Sequence, residues 1–348
     1  MDRKPLVIVG AGPAGLSAAI YAARRDVPVV VRERQAVVGG RFRDDFQGLE
    51  NWTSPTDVLD ELAAAGIEPS FEHIPIREQV CFDPAGRSFT FRSPTPFYYL
   101  VRRGPAAGTL DTALRDQALR AGVVIRFQDP VEQLPADGVV ARGPRGGDTI
   151  AAGFVFDTDA ADGCYGVMDD RLAPKGYAYL LIHRGRGTLA TCMFAELHEA
   201  RRRLERTVAY FQERLGVGMR HPRHFGGLGA LTRRPALRAG GLVFAGEAAG
   251  LQDALWGFGI RYAVRSGWLA ARRVTAPADR RGARRAERQL ERMCRAGRVN
   301  RFIYERLGNP GYAVFLRLMS RARDPRDWLA ERYAPSLTKT LLAVAARI

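Results

Sequence analysis

Apolar residues recur along this chain in two distinct periods. Leu6-Val7-Ile8-Val9 is an unbroken apolar run that stops at Gly10. Between Pro13 and Arg25, Leu16, Ala19, Ile20 and Ala23 recur at helical spacing, and Val27 to Val31 forms a second run. A short continuous run reads as a strand buried on both faces, and a 3.6-residue recurrence as a helix. The chain therefore opens with a β-α-β unit. From Phe71 to Tyr99 the pattern changes to short alternating segments broken by prolines and by Pro84-Ala85-Gly86, which predicts antiparallel sheet. A helix is expected from Leu110 to Ala121, followed by a strand at Val123-Val124-Ile125. Two runs, 177–183 and 188–194, flank Gly185-Arg186-Gly187 as a hairpin. Residues 198–215 read as an amphipathic helix. Leu242-Val243-Phe244-Ala245 reads as a buried strand leading into Gly246, with a helix from about Gly259 to Val274. Beyond Ala276 the pattern is helical and arginine-rich, punctuated at Asn309-Pro310-Gly311 and Asp324-Pro325. Gly226-Gly227-Leu228-Gly229 has no strand-to-helix context and is read as a turn.

Composition narrows the class. A chain of 348 residues with 46% hydrophobic and 26% charged residues builds a globular core of about two domains, which excludes a disordered or fibrous protein. No apolar run reaches the ~18 residues of a spanning helix. The first residues enter a strand with no apolar leader and cleavage site. Cys81, Cys164, Cys192 and Cys294 stand far apart, so a disulfide framework, a zinc site and a dithiol motif lack support. No metal site is expected, and the expected location is cytoplasmic.

Charge adds one open question. Lys+Arg number 53 against 37 Asp+Glu, a net +16, and Lys4, Lys175 and Lys339 are the only lysines. Such a field suits an anionic membrane surface, nucleic acid or a phosphorylated ligand, and equally a solvated arginine surface. No nucleic-acid-binding motif accompanies it, so nucleic acid is not an expected partner. Arg284, Arg285, Arg288, Arg292 and Arg295 recur on one predicted helix, with Leu316, Leu318, Met319 and Leu329 further on. This region is expected to cap a pocket and to rest on the inner face of an anionic membrane.

The first candidate chemistry is Gly10-Ala11-Gly12-Pro13-Ala14-Gly15, a G-x-G-x-x-G that follows a strand and opens a helix. Gly10 permits the tight turn, Gly12 lets backbone approach a pyrophosphate, and Gly15 lets helix and strand pack closely. Pro13 and Ala14 lie in the same turn, where free helix amides attract phosphate. Glu33 ends the next strand about 20 residues on, placed to accept hydrogen bonds from ribose hydroxyls. This fingerprint predicts a dinucleotide, NAD or FAD alike.

The residues after Glu33 separate the two. Arg34 leads to Gly39-Gly40-Arg41-Phe42, and the stretch from Leu6 to Phe42 resembles the N-terminal segment of FAD-dependent oxidoreductases of the amine oxidase, phytoene desaturase and geranylgeranyl reductase kind. Over two hundred residues later come Phe244-Ala245-Gly246-Glu247-Ala248-Ala249-Gly250 and Trp256-Gly257-Phe258-Gly259-Ile260. These look like the C-terminal FAD segment of the geranylgeranyl reductase and aromatic hydroxylase superfamily, with Glu247 in place of the usual aspartate. The resemblance implies FAD contacts at Arg34, Gly40, Arg41, Phe42, Gly246, Glu247, Gly257, Phe258, Gly259 and Ile260. Arg103, in Arg102-Arg103 ahead of Thr109-Leu110-Asp111, and Val131 match further FAD-contacting positions. Ala161-Asp162-Gly163 matches a hydroxylase triplet without the Ser and Arg that follow it there.

The expected fold class is α/β: a Rossmann-like FAD-binding domain with an inserted antiparallel β-sheet substrate domain and a helical C-terminal cap. Residues 1–70, 100–163 and 226–275 are expected in the FAD-binding domain. Residues 71–99 and 164–225 are expected in the substrate domain, and 276–348 in the cap. Tyr177, Tyr179 and Leu181 share one strand face, at the place of an aromatic motif in geranylgeranyl reductases. Trp52, Tyr177, Tyr179 and Trp256 are therefore candidate pocket residues, and Tyr177, Tyr179 and His183 candidate proton donors. The leading expectation is a reductase or dehydrogenase of a hydrophobic unsaturated substrate, such as an isoprenoid, by hydride transfer at flavin N5. A second dinucleotide fingerprint is lacking, so NAD(P)H or a ferredoxin-like donor would supply electrons transiently. Alternatives are an amine oxidase or desaturase-like flavoenzyme, a flavin monooxygenase, and a non-catalytic redox-sensing flavoprotein. The sequence specifies no oligomeric state.

Overall fold

The computed structural model describes residues 4–144, 146–230 and 235–346. The apolar run Leu6–Val9 forms the centre of a six-stranded sheet. Val29–Arg32 and Asp137–Val140 pair with it in parallel on either side. Val124–Arg126 extends the sheet beyond Val29–Arg32, while Gly241–Phe244 and then Arg238–Ala239 extend the other edge. Strands buried on both faces need apolar residues throughout, which is why these runs do not alternate. Helix Pro13–Ala23 starts on proline, whose missing N–H is unneeded in a first turn. It packs Leu16 and Ile20 into a core with Ile8, Val31, Leu114 and Val139.

Two helices meet behind this sheet at near backbone contact. A Cβ on Gly267, in helix Ile260–Thr275, would overlap the Ala14 carbonyl, and one on Gly15 would overlap the Gly10 carbonyl. Ser17 Oγ donates to the Val264 carbonyl at 2.8 Å, and Ser266 Oγ accepts from the Gly246 amide at 2.8 Å. The N-terminal fingerprint and the segment after Gly246 are thereby fixed to each other across most of the chain length.

A seven-stranded sheet follows the order Arg220–Gly229, Thr149–Asp157, Arg186–Met193, Tyr177–His183, Gly163–Val167, Glu78–Phe82 and Ser88–Arg92. All its pairs are antiparallel except that between Gly163–Val167 and Glu78–Phe82. The expected hairpin is present, turning through Arg184 and Gly185, both at positive φ, as a tight hairpin requires. Helix Ala200–Leu215 backs the sheet with Leu204, Thr207 and Phe211 buried. A smaller sheet of Phe46–Glu50, Tyr98–Arg102 and His73–Ile76 links the two large ones.

Two details differ from the sequence expectation. Gly226-Gly227-Leu228-Gly229 is not a turn but the end of the edge strand Arg220–Gly229; three glycines in four residues lack the side chains by which strands are recognised. Thr149–Asp157, within the 100–163 span expected in the FAD-binding domain, pairs instead with Arg186–Met193 in the seven-stranded sheet. The expected punctuation at Asn309-Pro310-Gly311 is present: Gly308, at φ 56° and ψ −170°, is non-helical and divides the stretch Arg280–Ser320 into two helices that meet at a kink. Helices Pro325–Tyr333 and Leu337–Ala345 follow. No described helix is long and apolar enough to cross a membrane.

Candidate active site

The turn after Leu6–Val9 opens onto a groove of about 450 Å³ that runs from Gly10 and Gly12 to Gly257, Gly259 and Ile260. Gly10 has φ of 105°, which favours glycine. Gly12 behaves differently from its neighbours: a Cβ there would stand in open space. The empty space above Gly12 is the cradle a pyrophosphate needs, and no side chain caps the helix that begins at Pro13. Glu33, at the end of Val29–Arg32, holds its carboxylate on the groove by accepting from the Ala11 amide at 2.7 Å and the Gln35 amide at 2.8 Å. Arg34, Gly40, Arg41, Phe42, Arg103, Val131, Gly246 and Glu247 all line the same groove. The open space at Gly12, the carboxylate of Glu33 and the cations Arg41 and Arg103 are the kinds of group an adenine dinucleotide needs, so the residues present fit one.

The charged groups at the middle of the groove are organised around Phe42. The Arg103 guanidinium lies 4.1 Å from the Phe42 ring centroid and makes a two-bond ion pair with Asp111, at 2.8 and 2.9 Å. Both partners are buried. Arg41 approaches Phe42 from its own side at 4.7 Å and stands 3.6 Å from Glu247. Burial pushes the Glu247 carboxyl up, opposed by the charges of Arg41 and Arg103. The second FAD-like segment thus returns a carboxylate to Arg41, which follows the Gly-Gly turn.

The groove meets a second cavity, of about 360 Å³, along Gln47, Glu247, Gln252, Gly257 and Gly259. This cavity is apolar and aromatic. Tyr177, Tyr179 and Leu181 form one wall, as their shared strand face predicts, and Trp52 and Trp256 also line it. Trp256 packs edge-on to Tyr177 at 5.4 Å and to Tyr304 at 5.1 Å. Phe315, Leu316, Met319 and Leu329 close it from the C-terminal helices. The expected cap is therefore the outer wall of this cavity. Phe258 lines the apolar cavity and not the groove, its ring 4.9 Å from Trp52 and seated where a Cβ on Gly48 would be.

The candidate proton donors separate clearly. His183 lies outside the lining of both cavities and pairs with Asp162 at 2.8 Å. The Tyr177 hydroxyl donates to the Trp256 carbonyl, which holds the aromatic wall against the Gly257 turn. The Tyr179 hydroxyl has no hydrogen-bond partner among the described residues. Burial pushes both phenols well above their ordinary pKa, and the thiols of Cys81 and Cys192, also on the lining, up to about 12. Sequence reasoning missed the one carboxyl in the aromatic part of the lining. Asp45 is fully buried, accepts from the Arg43 amide at 3.0 Å and Gln47 Nε2 at 2.8 Å, and has its pKa raised by burial. Its position three residues after Phe42 was the available signal. Phe225, Gly226, Gly227, Leu228 and Gly229 also line the cavity, a wall hidden by reading this glycine run as a turn. Among the described residues no group of His, Cys, Asp and Glu could hold a metal.

A parallel nucleotide sheet, a Gly-Gly-Arg turn, a second glycine turn and an attached antiparallel sheet together make the fold of the FAD-dependent oxidoreductases, and this chain has that fold. The model of the NAD(P)-binding Rossmann-like domain matches residues 8–53. A curated "34.2 kDa protein in rubredoxin operon" of Clostridium pasteurianum is 45% identical over 62 residues, covering 16% of this chain and 20% of that one. The match thus spans one fifth of that relative's length. Among solved structures, a geranylgeranyl bacteriochlorophyll reductase-like protein from Thermoplasma acidophilum is similar with a TM-score of 0.73 at 17% identity, over 98% of this chain and 95% of that one. A flavin-dependent brominase is similar at 0.68 and 14%, over 98% of each chain. The p-nitrophenol 4-monooxygenase of Pseudomonas putida DLL-E4 is similar at 0.61 and 16%, over 99% and 97%.

Proposed function

We propose that this chain is an FAD-dependent reductase or dehydrogenase of a hydrophobic, unsaturated small molecule, isoprenoids included. One observation carries the reading: the nucleotide groove opens at Gly257 and Gly259 directly into an apolar, aromatic cavity whose phenols and thiols are kept neutral by burial. FAD, when bound, supplies two-electron redox capacity at that junction. The chain's own residues do the rest. Gly12 and the helix amides beyond it bind the pyrophosphate, Glu33 the ribose, and Arg41 with Glu247 the middle of the cofactor. Phe315, Leu316, Met319 and Leu329 exclude water. Asp45, its pKa raised by burial, can hold a proton on its carboxyl beside the cavity and release it to substrate. Electrons reach the site from a transient donor, NAD(P)H or a ferredoxin-like protein.

The test begins with the purified protein, which should be yellow and release FAD, not FMN, on denaturation. Gly12→Val should lose the cofactor. Reduced anaerobically, the protein should reoxidise slowly in air and faster with an unsaturated hydrophobic acceptor. Asp45→Asn should slow that second reaction while FAD content stays unchanged. Prompt formation of peroxide with an amine or alcohol donor would assign an oxidase instead. Oxygen incorporated into an aromatic product would assign a monooxygenase. A protein that cannot be reconstituted with FAD would overturn the reading altogether.

A further inference from the structure

The helix Leu337–Ala345 carries most of its apolar bulk on the outside. Its outward face carries Leu337, Leu341 and Val344, which are 84%, 70% and 73% exposed, at the i, i+4, i+7 spacing of one helical stripe. Toward the protein it turns the buried Ala343 and the half-buried Leu342, Thr340 and Lys339, the last donating from Nζ to the Ala334 carbonyl at 3.1 Å. A helix folded only for water would not leave three of its four large apolar side chains exposed. The kinked long helix repeats the feature: Val314 and Leu318 face outward beside the exposed Arg317 and Arg321, while Leu316 and Met319 turn inward to the cavity.

We propose that these C-terminal helices dock the protein onto the surface of an anionic lipid bilayer, with Leu337, Leu341 and Val344 entering the acyl boundary. Charge complementarity favours that occupant. The net charge is +16, almost all from arginine, and Arg317, Arg321 and Arg332 are exposed on or beside these helices. Area argues against a second copy of the chain: one face of the nine-residue helix, about 14 Å by 10 Å, offers on the order of 150 Å², and Val314 and Leu318 add two half-exposed side chains, which leaves the apolar surface well below the ~800 Å² per partner of a stable interface. Apolar insertion with flanking cations is the usual mode of an interfacial helix, and none of these helices can span a bilayer. The two helical segments that precede Leu337–Ala345 wall the apolar cavity through Phe315, Leu316, Met319 and Leu329, so docking at this end of the fold would bring that wall toward the phase in which a hydrophobic substrate dissolves. The surface stands independently of the redox chemistry.

Flotation of the full-length holoprotein with vesicles tests it, because binding is read without turnover. Vesicles of phosphatidylcholine with about one third phosphatidylglycerol should recover at least about tenfold more protein than phosphatidylcholine alone, and high salt should reduce the difference. Leu341→Glu, at an exposed position, should lower recovery about tenfold with the melting temperature and bound FAD unchanged. Leu337→Ser with Val344→Ser should act in the same direction. Equal recovery from both vesicle types, no recovery from either, or variants that float as well as the parent would overturn the proposal. So would a dimer in sedimentation velocity that Leu341→Glu dissociates, which would assign the face to a second copy.

Discussion

Across the Gly257–Ile260 turn, two binding regions share a wall and are built by opposite means. The nucleotide groove is made of backbone. Gly10, Gly12 and Gly246 keep side chains out of the ligand path or out of a neighbouring turn, and Gly15 and Gly267 let two elements touch. The apolar cavity is made of side chains: Trp52, Tyr177, Tyr179, Trp256 and Leu316 arrive from distant segments and need only fill and line a volume. A ligand with a fixed pyrophosphate demands the absence of atoms at set positions, and absence leaves a motif. A greasy ligand demands bulk, which many residues supply.

Charge at the groove should prove the most sensitive feature. Arg103→Ala leaves the buried Asp111 carboxylate without its two-bond partner, an expected loss of about 3–5 kcal/mol in denaturant unfolding. Next come the glycines, where the comparison can be broken within one motif. Gly15→Ala forces a Cβ onto the Gly10 carbonyl and should cost about 1–3 kcal/mol of stability as well as cofactor. Gly12→Ala meets nothing within 4 Å, so it should lower FAD occupancy and leave apoprotein stability unchanged. If both variants lose stability equally, the groove is not the open cradle described.

The cavity side should respond more mildly. Tyr177→Phe removes the bond to the Trp256 carbonyl and should cost about 0.5–1.5 kcal/mol, whereas Tyr179→Phe should be near neutral in stability. Behind the wall, Asp253 accepts from the Leu255 and Trp256 amides and the Tyr333 hydroxyl, tying the cap to the Gly257 turn. Burial raises its pKa to about 6. The folded state then holds its proton at pH values where the unfolded carboxyl, at about 4, has released it. Stability from this group should fall as pH rises from about 4 to about 6 and level off above. Asp253→Asn should flatten that slope in melting temperatures taken across pH 4–7. Asp45 and Glu247 are raised in the same direction and leave a residual slope.

Where the sequence succeeded and where it misled reflect the same contrast. Glu33, Arg41 and Glu247 stand out in the sequence because they sit at fixed offsets from glycine turns, and the structure brings all three to one groove. That Tyr177, Tyr179 and Leu181 share one face was legible from period two; that this face lines the cavity came from the structure. His183 was drawn in by chemistry type, yet it ends the tyrosine strand outside the cavity, where it pairs with Asp162. Asp45 was passed over because a lone aspartate near a loop carries no pattern; only the packing around it makes it a buried carboxyl.

The sequence by itself determined four strands of the nucleotide sheet, its two glycine turns and the helices they open, because close backbone approach and burial on both faces permit few residues at each position; Asp137–Val140, which pairs with Leu6–Val9, came only from the structure. It also placed helices at the C-terminal end. Only the tertiary structure decided that Thr149–Asp157 belongs to the seven-stranded sheet and that a glycine-rich edge strand walls the cavity. It alone decided which leucines of the cap face the cavity and which face outward. Those choices depend on which surfaces meet after folding, and residues separated by a hundred positions or more carry no local record of that meeting.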